Sequence, residues 1–99
     1  MYGIDKKVYK SLINYFLNNN NIEKVIIFGS RAKGIENINS DIDLCVSYIG
    51  KSKGTIVEEI NDVIGIYSCD IVFINSLNEN IKKQIDRDGI EIYSTSAHL

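Results

Sequence analysis

The sequence has no proline and only two cysteines, and no apolar run in it approaches the roughly 20 residues that cross a bilayer. Each absence excludes something. With no proline, no low-complexity linker and no internal repeat, nothing divides the chain, and 99 residues leave room for one core. Residues 1–99 are therefore expected to form one domain. The lack of an apolar span argues against a membrane protein. The N-terminal Met1-Tyr2-Gly3-Ile4-Asp5-Lys6-Lys7 opens a polar-faced segment rather than a signal peptide, so a cytoplasmic location is expected. Cys45 and Cys69 are too distant for a CxxC motif and too few for a disulfide scaffold, and they read as small buried hydrophobes. Basic residues are spread along the chain and the formal net charge is −2. An extended nucleic-acid footprint needs clustered cations, so none is expected, whereas one bound nucleotide needs only a cation or two.

What is present is an ordinary globular composition, 44% hydrophobic and 24% charged. From Asp5 to about Leu17, Val8, Leu12, Tyr15 and Phe16 recur at helical spacing. Val25-Ile26-Ile27-Phe28 reads as a buried strand closing on Gly29, and a single helical turn is expected near Arg31-Ala32-Lys33. Asp41 to Ser47 alternates with period two, which puts Ile42, Leu44 and Val46 on one face and Asp41, Asp43 and Cys45 on the other. Thr55 with Glu58, and Ser76 with Glu79, have capping-box spacing. They predict two helices, one burying Ile56, Ile60, Val63 and Ile64 and ending at Gly65, the other turning Leu77, Ile81 and Ile85 inward and ending at Gly89. Between them Cys69–Ile74 reads as a strand. Ile90-Glu91-Ile92-Tyr93 reads as a last one, and Ser94 to Leu99 as a loose tail. The expected fold is α/β (α+β), a single mixed sheet of three to four strands with helices mainly on one face.

The chemistry gathers in Gly29-Ser30, ten further residues, then Asp41-Ile42-Asp43, with Asp70 on a later strand. Carboxylates at i and i+2 of a strand point the same way. If Asp70 faces them from a neighbouring strand, three like charges share a small volume, which is costly without a cation. Hard oxygen ligands of this kind suit magnesium, completed by substrate phosphates. Two such ions about 4 Å apart activate an attacking hydroxyl and stabilise a leaving pyrophosphate. A strand ending in Gly29-Ser30 allows close backbone approach to a phosphate, with Arg31 and Lys33 able to offset its charge.

Gly29-Ser30-Arg31-Ala32-Lys33-Gly34, the ten-residue gap and Asp41-Ile42-Asp43 resemble the signature of the DNA polymerase β-like nucleotidyltransferase superfamily. Within it the chain looks most like the minimal nucleotidyltransferases, often the antitoxin half of a pair with a HEPN-domain ribonuclease toxin. The resemblance extends to the ending Arg87-Asp88-Gly89-Ile90-Glu91-Ile92-Tyr93. It implies the nucleotidyltransferase fold, with Asp41, Asp43 and Asp70 as catalytic carboxylates and magnesium ligands, and Gly29, Ser30, Arg31 and Lys33 as the nucleotide-binding element. Lys33 stands where an arginine is common, which keeps the charge but not the bidentate geometry. Also implied are transfer of AMP from ATP to a tyrosine of a HEPN toxin, and a hetero-oligomer with that partner. The chain lacks the extra domain with which larger relatives hold an acceptor. The alternative is an antitoxin-like module that neutralises its partner by contact, with transfer weak or lost.

Other motifs fail on specifics. An EF-hand reading of Asn39, Asp41 and Asp43 puts Leu44 where glycine is required. Gly29 to Gly34 lacks the Gly-Lys-Ser/Thr of a Walker A loop. His98 is read as non-catalytic, Lys51 and Lys53 as solubilising, Tyr9, Tyr15 and Tyr67 as core or boundary residues, and Ser47 and Ser68 as strand-end polar groups.

Overall fold

The computed structural model describes residues 1–37, 39–50 and 52–95. The chain runs α1 (Lys6–Leu17), β1 (Ile22–Phe28), α2 (Gly29–Lys33), β2 (Ile42–Tyr48), α3 (Lys53–Ile64), β3 (Cys69–Phe73), a 3-10 turn (Ile74–Ser76), α4 (Glu79–Asp88) and β4 (Ile90–Ser94). The strands form one mixed sheet in the order β3-β2-β1-β4. β1 is antiparallel to both β2 and β4, and β2 runs parallel to β3 across the α3 connection.

The expected alternation decides the two faces. Val25 and Ile27 of β1, and Ile42, Leu44 and Val46 of β2, are fully buried against Leu12 and Phe16 of α1 and Ile56, Ile60 and Ile64 of α3. Among the described residues this is the one core, with Val63, Tyr9, Tyr15 and Tyr67 packed around it. Cys69 belongs to this side too, whereas Cys45, although buried, lies on the opposite face among Lys24, Ile26 and α4. The two thiols are free and separated by the sheet, as the alternation requires.

Both interior helix starts differ from the capping-box expectation. α3 begins two residues before Thr55, because the Ser52 hydroxyl already accepts the Thr55 amide at 3.2 Å. α4 is capped by Asn78, whose Oδ1 accepts the Ile81 amide at 2.9 Å. Ser76 is taken up by the 3-10 turn, where its hydroxyl accepts a bond from Lys53 Nζ at 2.7 Å. Lys53 is thus a structural contact rather than a purely solubilising one; Lys51 lies outside the described residues, as does His98.

The apolar stripe of α4 does not enter the main core either. Ile81 and Ile85 are half-buried on the face opposite α1 and α3, near Ile26. Gly89 ends the helix as expected, but with φ −63 rather than in the left-handed region. Glycine is needed here for closeness: a Cβ would stand 2.9 Å from Ile26 Cγ2 and also meet the Ile85 carbonyl. β4 then runs on through Ser94, one residue past the expected strand.

Candidate active site

The face opposite the core carries the carboxylates. Asp43 pairs in register with Asp70 across the parallel β2–β3 ladder, so both side chains leave the sheet on the same side. Adjacent strands are about 4.8 Å apart, which makes the two carboxylates immediate neighbours. Asp41 stands one residue before β2, exposed on the lip of the site. Among the described residues no three His, Cys, Asp or Glu side chains already close into a metal-binding cluster. The sheet therefore delivers an aspartate pair, with the third carboxylate beside it.

Electrostatics couple the three all the same. Asp43 is pushed up to about 6 by burial, then by the charges of Asp70 and Asp41, against a smaller opposite pull from Arg31. A divalent cation would relieve that repulsion, and a donor set made of carboxylate oxygens suits a hard ion such as magnesium. On the far face, Cys69 is pushed up to about 12 by burial and then by Asp43, Asp70 and Asp41, so its thiol stays protonated.

The glycine-serine element abuts the pair. Phe28, the last residue of β1, is opposite Asp43, and the next residue, Gly29, turns into α2 with φ +74. A Cβ at Gly29 would run into the Asp43 carboxylate, 3.0 Å from its Cγ, so both the dihedral and the space demand glycine. Phe28 offers no side-chain cap to the first N–H groups of α2. Ser30 is half-buried in this turn. Lys33 is exposed at its end, 3.7 Å from Asp88 of α4.

Arg31 departs from expectation. Instead of facing a phosphate it is 2% exposed and turned inward. One terminal nitrogen donates to the Tyr2 carbonyl at 3.0 Å and the other to the Ser40 carbonyl at 2.8 Å. The guanidinium also lies 5.4 Å from the centre of the Tyr67 ring. Its position in the short α2 directs it away from the open face. Nothing in the sequence marks backbone carbonyls as the partners of an arginine, so this network was invisible there.

On the carboxylate face, further along β2, lies a cavity of about 480 Å³ lined by Cys45, Ile26, Lys24, Leu77, Lys82 and Asp86. On a helix, Lys82 and Asp86 point to one flank of α4 and Asp88, paired with Lys33, to the other.

Residues 10–98, which include every carboxylate and glycine of this site, match the family described as Polymerase beta, Nucleotidyltransferase. No curated protein matches the chain by sequence. Among solved structures, the chain is similar to one in a toxin–antitoxin crystal structure with AMP-PNP, at a TM-score of 0.68 and 18% identity over 96% of this chain and 77% of that one. A structure of a tri-AMPylated Shewanella oneidensis HEPN toxin in complex with its MNT antitoxin gives a TM-score of 0.59 and 15% identity, over 92% of this chain and 76% of that one. The MntA-HepT toxin–antitoxin structure gives 0.58 and 20%, over 93% and 71%. These likenesses bear on the fold, while the family match spans nearly all of the sequence. With a paired aspartate in register, a glycine turn pressed against it and that match, the chain belongs to the polymerase β nucleotidyltransferase family.

Proposed function

We propose that this chain is a magnesium-dependent nucleotidyltransferase that moves AMP from ATP to a hydroxyl of a partner protein, a tyrosine of a HEPN ribonuclease toxin, and so acts as a cytoplasmic antitoxin. The observation that carries the reading is the register of Asp43 with Asp70, closed on one side by Gly29. The structural neighbours support the choice of partner, one containing AMP-PNP and another a HEPN toxin carrying AMP.

In this reading Asp41, Asp43 and Asp70 would hold two magnesium ions, which would supply charge neutralisation at the phosphates. Gly29 and Ser30 receive the triphosphate tail against backbone N–H groups, and Lys33 adds a cation at the turn's end. The acceptor oxygen forms a bond to the α-phosphorus as the bond to the bridging oxygen breaks, releasing pyrophosphate. In this reading Asp70, which is exposed, takes the acceptor's proton. The partner, in this reading, brings its own hydroxyl to the site in a hetero-oligomer.

The test is transfer of label from α-labelled ATP to the co-purified partner. Label is expected with magnesium, and none with Asp43→Asn or Asp70→Asn. An unlabelled partner with the aspartates intact refutes the enzyme, and neutralisation that survives both substitutions would replace it with inhibition by contact.

A further inference from the structure

A buried guanidinium is costly unless its donors are satisfied, and Arg31 keeps one cost in place: its Nε is buried with no hydrogen-bond partner among the described residues. What the side chain does instead is join segments distant in sequence. Its fork spans the Tyr2 carbonyl and the Ser40 carbonyl, which belong to separate loops. The Ser40 carbonyl is part of the peptide bond leading into Asp41, so the 2.8 Å bond fixes the plane from which that aspartate departs.

The other carboxylates are reached through Tyr67. Its ring packs against the guanidinium, and its hydroxyl accepts the Asp5 amide at 2.9 Å. The neighbouring Ser68 carbonyl accepts the Ile42 amide at 2.8 Å, between Asp41 and Asp43, and Asp70 follows two residues later. Arg31 itself is two residues from Gly29. One side chain therefore connects the glycine turn with the start of β2 and the approach to β3.

We infer that Arg31 is a positioning residue: by fixing the Ser40 carbonyl and the Tyr67 ring against the Gly29–Lys33 turn, it holds the Asp41 and Asp70 backbones at the spacing used for transfer, without touching the nucleotide. The inference rests on the nucleotidyltransferase reading above. Lysine cannot replace it, since one ammonium lacks the planar fork that reaches both carbonyls.

The experiment compares wild type, Arg31→Lys and Arg31→Ala by steady-state transfer kinetics and by amide hydrogen exchange. Arg31→Lys is included because the alanine variant can fail to fold. Misplaced carboxylates should lower kcat by about 10- to 100-fold, with the KM for ATP unchanged within about twofold. The Ile42 amide should exchange about tenfold faster or more, while the Ile27 amide in the centre of the sheet keeps its protection. A raised KM with kcat intact would return Arg31 to phosphate binding and overturn the inference. So would unchanged exchange at Ile42, or exchange raised equally throughout the sheet. If the wild-type protein transfers no AMP, the proposed function falls, and exchange at Ile42 alone still decides the role of Arg31.

Discussion

Replacing Asp43 with asparagine should make the metal-free protein more stable while abolishing transfer. The carboxyl is raised from its ordinary 3.8 to about 6, first by burial and then by Asp70 and Asp41. Taken at face value that difference is worth about 3 kcal/mol, at 1.36 kcal/mol per pH unit. Asp43 is only half-buried, so solvent screening cuts this to about 1 kcal/mol. The sign follows from linkage. Below about pH 4 the group is protonated in both the folded and unfolded chains, and there is no penalty. As the pH rises to about 6, the unfolded chain ionises first and the folded state loses ground. Above that the penalty is complete. In chelator at about pH 7.5, Asp43→Asn should therefore melt about 4–8 °C above wild type, the shift that 1 kcal/mol gives a domain of this size. The gap should close towards about pH 4. Adding magnesium with ATP should reverse the order, because the wild type gains binding energy that the variant has lost. Equal melting temperatures across the whole pH range in chelator would refute the charge crowding described for this site.

Other substitutions test other parts of the structure. Gly29→Ala places a side chain at φ +74 and against the Asp43 carboxylate, so urea unfolding should show a loss of at least about 1 kcal/mol, and transfer should fall with it. Unchanged stability would mean that the turn can open. Ser52→Ala should cost about 1 kcal/mol as the loss of the α3 cap, whereas Ser76→Ala should stay within about 0.5 kcal/mol; denaturant midpoints showing the reverse would restore the capping box at Ser76. Under mild oxidation, thiol titration of the denatured protein should still find two free cysteines per chain. A Cys45–Cys69 bond would contradict their placement on opposite faces of the sheet.

Much of this protein could be read from local pattern. Period two in Asp41–Ser47 assigned Ile42, Leu44 and Val46 to the core and Asp43 and Cys45 to the other face, because a pleated strand leaves no third choice. Helical spacing likewise found Leu12, Phe16, Ile56, Ile60 and Ile64. Helix starts were less legible, since several Ser, Thr and Asn residues near each boundary compete for the same amides. The deciding factor was the path of the loop, which used Ser52 and Asn78.

The sequence by itself determined the strand faces, the two helical stripes of the core, and the glycine-serine turn ten residues ahead of a paired aspartate. Those follow from rotation per residue and from the conformations open to glycine, which are local properties. Tertiary structure alone decided that β3 would lie parallel beside β2 with Asp70 opposite Asp43, because register is set by contacts between distant segments. It also decided that α4 would cover the carboxylate face rather than join the core. The inward turn of Arg31 has the same origin: its carbonyl partners, at Tyr2 and Ser40, are adjacent to it only once the chain has folded.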